Sequence, residues 1–120
     1  MIYTSYFSKL QFLPDTAMPI SICTMSPRWY KGKRAHQLVP NIDIRREFIA
    51  SGDVDRYARR YNDEVLSIYN VHSMYHSLEL MANGKDIVLL CYERPSDFCH
   101  RHLVADWFSR NGHPCKEWVF

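Results

Sequence analysis

Several features are scarce, and each scarcity excludes something. Of 120 residues only four are glycine. None stands in the G-x-G-x-x-G or G-x-x-x-x-G-K-[ST] arrangement that cradles a dinucleotide or a nucleoside triphosphate. No window reaches the roughly 18 uninterrupted apolar residues that a membrane helix needs. Charge is nearly balanced: 15 Lys/Arg against 13 Asp/Glu leave +2, too little for a global field that gathers polyanions or membranes. Residues 1–9 show no basic stretch followed by an apolar one, so no secretory leader is expected. The four cysteines, Cys23, Cys91, Cys99 and Cys115, include no Cys-x-x-Cys pair, which argues against a structural zinc knot. Without a leader they are expected reduced, in a cytoplasmic protein.

What is present is enough for a core. Apolar residues make up 47% and charged residues 23%, which fits one folded domain over residues 1–120. Residues 2–7 are aromatic and β-branched and read as a strand. Residues 19–24 read as a second. Asp43 is expected to cap a short helix closed by Ser51-Gly52, and Asp53 the next. In that second helix Val54, Tyr57, Ala58, Tyr61, Val65 and Ile68 follow helical spacing. A third begins near Asn70, buries Val71, Met74, Tyr75, Leu78 and Ala82, and stops at Asn83-Gly84. Residues 86–92 hold an apolar run without alternation, which reads as a strand covered on both faces. Ser96 or Asp97 is expected to cap a helix running to about residue 110, and residues 116–120 read as the last strand. Strand, helix, strand in about 35 residues is a βαβ unit. The fold class is therefore α/β, a small, mostly parallel sheet of about four strands flanked by helices in a Rossmann-like three-layer arrangement.

Two places stand out for chemistry. In open α/β sheets ligands bind beyond the carboxyl ends of the strands, and residues 93–101 occupy that edge. Arg101 opposes the dipole of the helix it begins, so it either awaits an anionic ligand or pairs with Glu93 or another acid. His100 starts the inward stripe with Cys99, Leu103 and Trp107. It is either a core histidine bonded to a carbonyl or a titrating group in a pocket. Cys99, in the first helical turn, is either a small core residue or a reactive thiol. Cys91 reads as packing and His102 as solvated. An arginine six residues after a cysteine would mark a phosphatase cradle, but from Cys91 that position is Asp97. Cys91, Cys99, His100 and His102 are metal-ligand types without the usual spacing, and His72 and His76 are an i, i+4 pair, so no metal site and no cofactor are expected.

The second place is residues 28–34, where Arg28, Trp29, Tyr30, Lys31, Lys33 and Arg34 interleave cations with rings. Phosphates attract the cations, and bases stack on rings. The alternative is a solvated loop pinned to the core by Trp29.

Three stretches resemble one family: Met-Ile-Tyr-Thr-Ser-Tyr-Phe at the start, Ile-Ser-Ile-Cys…Pro-Arg-Trp-Tyr-Lys-Gly in residues 20–32, and Cys-Tyr-Glu-Arg-Pro-Ser-Asp-Phe-Cys-His-Arg-His-Leu-Val-Ala-Asp-Trp in residues 91–107. They are similar to the domain of unknown function 488 (DUF488) family, in a short subgroup marked by residues 27–32. The resemblance implies a small α/β protein of bacteria, archaea or phages, and no particular reaction.

Three functions follow as expectations. The first is binding of a phosphate-bearing ligand, a nucleotide or nucleic acid, by Arg101, Arg28, Trp29, Tyr30 and Lys31. The second is an enzyme acting on such a ligand, with His100 and Glu93 as an acid–base pair and Cys99 as nucleophile. The third is a structural or protein-interaction module. No membrane partner is expected, and the sequence does not specify an oligomeric state.

Overall fold

The computed structural model describes residues 1–92 and 98–120. Five strands form one parallel sheet: β1 (Ile2–Tyr6), β2 (Ala17–Ser21), β3 (Lys33–Arg34), β4 (Asp86–Cys91) and β5 (Cys115–Glu117), in the order β3-β2-β4-β1-β5. The central strand is β4. It pairs with β1 from Ile2↔Ile87 to Tyr6↔Cys91 and with β2 from Ala17↔Asp86 to Ser21↔Leu90. That position explains its unbroken apolar run: Ile87 through Cys91 are all buried, as expected of a strand covered on both faces.

Alternation along the strands builds two clusters. Ile2, Ile20, Ile87 and Leu89 pack with residues of four helices: α1 (Ile42–Ser51), α2 (Val54–Glu64), α3 (Val71–Ala82) and α4 (His100–Ser109). On the opposite side Val88 and Leu90 pack with Phe7, Ala17, Cys23 and Tyr30. That thinner third layer includes a 3-10 helix, Phe7–Phe12. No helix among the described residues is long and apolar enough to cross a membrane. All four cysteines are buried.

Each helix start has a local cause. Asn41, not Asp43, caps α1, its side chain accepting from the Ile44 N–H at 2.9 Å. Asp53 caps α2 on Arg56 at 3.0 Å, and Asn70 caps α3 on Ser73 at 3.0 Å. Gly52 ends α1 with φ 67° and Asn83 ends α3 with φ 52°. Both are left-handed, which glycine and asparagine tolerate. The apolar stripe of α2 stops at Val65. A 3-10 turn, Leu66–Ile68, breaks the period and leaves Ile68 exposed.

Other boundaries also differ from expectation. β2 begins and ends earlier, so Ile22, Cys23 and Thr24 lie just past its carboxyl end. β3, only two residues long, lies inside the basic aromatic stretch, residues 28–34. It pairs with β2 at Ile20↔Lys33 and Ser21↔Arg34 and accounts for the fifth strand. β5 starts at Cys115 and ends at Glu117. The expected caps Ser96 and Asp97 lie outside the described residues; the residue preceding α4 is Cys99, with no side-chain cap hydrogen bond.

Candidate functional site

Because the strands are parallel, their carboxyl ends share one edge, and a cleft of about 270 Å³ lies there. Its floor is sulfur and imidazole. Cys91 closes β4, Cys99 precedes α4, His100 opens it, and Cys23 follows β2. One wall is aromatic. Phe48 of α1, Tyr57 of α2 and Phe98 pack edge-on or tilted, with ring centroids 5.0–5.3 Å apart. Arg45 of α1, Met25 and Ile49 stand at the rim, all exposed. Arg45 has no ion-pair partner among the described residues.

His100 is buried, and its ring is fixed by one bond. Its Nε2 lies 2.6 Å from the Ile22 carbonyl oxygen. A carbonyl can only accept, so Nε2 carries the proton and donates. Nδ1 is then the nitrogen that faces the thiols, 3.7 Å from Cys91 Sγ and 3.8 Å from Cys99 Sγ. Tyr61 backs the imidazole, with ring centroids 5.5 Å apart. Its own hydroxyl is fully buried and donates to the Leu38 carbonyl at 2.6 Å. Burial holds the Tyr61 phenol well above its usual pKa.

The electrostatics of the pair are reciprocal. Hydrogen bonding from Cys91 lowers the Cys99 pKa most. Burial opposes it, and the hydrogen bond and charge of His100 and the Arg101 backbone N–H add to the lowering, bringing the thiol to about 6. Burial works against a charged His100, but the Cys99 hydrogen bond and charge, the Ile22 carbonyl and Cys23 outweigh it, so its pKa is raised. Both shifts favour passage of the Cys99 proton to His100, as where a cysteine has a basic neighbour at a helix start. Cys115 shows the contrast: burial, then the charge of Glu117, pushes its thiol up to about 12.

The remaining site expectations fall in different places. Arg101 is fully buried, and it meets Glu117 of β5 through Nε and Nη2, both at 3.2 Å. Its guanidinium also lies over the Tyr6 ring, 5.7 Å from the centroid. An ion pair with an acid elsewhere in the chain, one of the partners expected for Arg101, is present. The reason is periodicity: Arg101, Val104 and Phe108 share the most buried face of α4. Glu93 lies outside the described residues. Tyr30 is buried and donates to the Lys33 carbonyl at 2.5 Å, so it braces the loop. Arg28, Trp29 and Lys31 are exposed and do not line the cleft. Trp29 instead meets Phe7 edge-on at 6.2 Å and lines a neighbouring groove. Phe7 in turn packs on Tyr92 of the cleft, with centroids 5.3 Å apart. His102 is half-buried rather than solvated, and its Nε2 is buried without a partner among the described residues. His72 pairs with His113 at 2.8 Å rather than with His76.

Cys91 packs in the core as expected and also lines the cleft. Sequence reasoning missed three contributors, Cys23, Arg45 and Tyr57, which lie far away along the chain. Only the parallel order that sets the ends of β2 and β4 side by side connects them. No curated protein and no solved structure matches the chain. A family model described as "Active DUF488-N3 subclade" (DUF488-N3a) does match, over residues 7–112. That span takes in β2 to α4 and every described residue of the cleft, and on this ground the chain belongs to the DUF488 family.

Proposed function

We propose that the chain is a thiol-dependent enzyme acting on a small phosphate-bearing ligand, a nucleotide in chemical class, with Cys99 as nucleophile and His100 as its acid–base partner. The observation that carries the reading is His100 Nδ1, 3.8 Å from Cys99 Sγ and aimed there by the Ile22 carbonyl, at the floor of an open cleft. A nucleophile, a base in reach of it and a third group that orients the base make up the usual arrangement of covalent catalysis. The described residues of the cleft include no carboxylate, and the orienting group is a main-chain oxygen.

The chemistry is balanced within the pair. Nδ1 takes the Cys99 proton, and the thiolate attacks an electrophilic atom of the ligand. The bond from that atom to its leaving group breaks, and Nδ1–H returns the proton to the leaving group. Water then displaces the sulfur, giving one proton to Nδ1, which passes it to the departing thiolate. Arg45 and the amides at the start of α4 suit the anionic part of the ligand. The wall of Phe48, Tyr57 and Phe98 suits a planar ring. The matched subclade is the one described as active.

Thermal unfolding with a panel of mononucleotides and short oligonucleotides, each followed for turnover, tests this reading. A true ligand at 100 times its dissociation constant adds about 2.7 kcal/mol of stability. Arg45→Ala is expected to weaken that ligand at least tenfold while leaving the unliganded protein equally stable. If no member of the panel raises the midpoint or is consumed, the assignment of ligand class is wrong.

A further inference from the structure

The geometry points to a zinc-binding site formed by Cys91 Sγ, Cys99 Sγ and His100 Nδ1, with the fourth position open to the cleft. It rests on the same side chains as the proposed reacting pair but on a different property, their mutual spacing. The three donor atoms lie within 4.8 Å of one another. A tetrahedral zinc with its usual bonds to sulfur and nitrogen places N and S about 3.6 Å apart and two sulfurs about 3.8 Å apart. The Nδ1–Sγ separations, 3.7 and 3.8 Å, are already close to that edge length, so a metal can enter with small side-chain adjustments.

The surroundings agree with the donor set. A metal-bound histidine characteristically donates its other ring N–H to a carbonyl or carboxylate, which fixes the tautomer and the ring plane. His100 Nε2 does this with the Ile22 carbonyl, at 2.6 Å. Two thiols and an imidazole are a soft set that selects zinc over magnesium or calcium. The three side chains are almost fully buried, yet they line a cavity, so three protein ligands meet one solvent-facing position. Structural zinc sites are closed by four protein ligands, whereas three plus an open position is the pattern of sites whose fourth place is taken by water or another small ligand. Cys23 lines the same cavity, but its thiol donates to the Met25 carbonyl at 2.9 Å.

Binding releases the protons of whichever of the three donor atoms still hold them, since zinc takes thiolates and an unprotonated Nδ1. It also occupies both Cys99 Sγ and His100 Nδ1. Zinc at this position is therefore an inhibitor of the thiol chemistry: the metal takes the nucleophile and its base together.

Cobalt is the probe. Chelator-stripped, reduced full-length protein is titrated with Co²⁺ and then back-titrated with Zn²⁺. The expected result is one equivalent of Co²⁺ with a thiolate-to-cobalt charge-transfer band and the strong visible bands of four-coordinate cobalt, bleached by one equivalent of Zn²⁺. Cys91→Ser is expected to weaken binding at least tenfold, and Cys115→Ser to leave it unchanged. Circular dichroism of both variants confirms that they fold. Cobalt bound without a thiolate band, as at the exposed His72–His113 pair, overturns the proposal, as does equal binding by Cys91→Ser and the wild type. Alkylation of Cys99 in stripped protein is read separately. Reactive Cys99 without a cobalt band removes the zinc site and leaves the thiol reading standing, and the reverse result removes only the thiol reading.

Discussion

A fully buried guanidinium is costly unless its donors are matched, and Arg101 shows how the match is made. Two of its nitrogens meet Glu117, and Glu117 Oε1 also accepts from Thr4 Oγ1 at 2.7 Å. The cation thereby links α4 to β1 and β5 beneath the site. The rule that a cation at a helix start needs a reason was readable in the sequence. The reason itself was not, because Glu117 is sixteen residues away and reaches Arg101 only once β5 is laid beside β1. Removing one partner of a buried pair is far more damaging than the pair is favourable. Glu117→Ala is therefore expected to cost about 3 kcal/mol, seen as a lower denaturant midpoint at unchanged slope. A cost below about 1 kcal/mol would mean that Arg101 does not depend on Glu117, and would favour an external anion as its partner.

At the scale of elements, caps and apolar runs carried most of the sequence information. Asp53 and Asn70 begin α2 and α3 where expected because an Asp or Asn side chain satisfies an amide that the helix leaves open. For α1 the expected cap was Asp43, but Asn41 takes the role and leaves Asp43 to face the dipole from the first turn. Replacing Asn70 with Ala removes one such bond and is expected to destabilise the protein by about 1 kcal/mol. Thermal unfolding reads this directly, and an unchanged midpoint would show that α3 is held by packing alone. β3 escaped notice because two residues carry no period. Its evidence is a backbone bond, Ala35 N–H to the Ser21 carbonyl at 2.9 Å, which no side chain announces. The last strand was placed late because Trp118, Val119 and Phe120 look strand-like. Val119 and Phe120 are exposed, while the buried anchor is Cys115.

For the molecule as a whole, the parallel sheet turns a sequence pattern into a place. The unbroken run in β4 implied cover on both faces, a consequence of strand geometry that was legible in one dimension. The company that His100 and Cys99 keep was not. Cys91, Cys23, Arg45 and Tyr57 are brought to them by the order β3-β2-β4-β1-β5, and that order is decided by packing rather than by spacing. The basic aromatic loop illustrates the converse. Its composition suggested a second arm of the site, but Tyr30 is spent on bracing Lys33, and Trp29 faces the groove beside Phe7.

The most direct measurement is the site of alkylation when chelator-treated, reduced protein meets limiting iodoacetamide at neutral pH, mapped by peptide mass. One carbamidomethyl group is expected, on Cys99, formed well ahead of any on Cys115 and at least tenfold more slowly in a folded His100→Gln variant. Equal labelling of Cys99 and Cys115, or a Cys99 rate indifferent to loss of the imidazole, would contradict it.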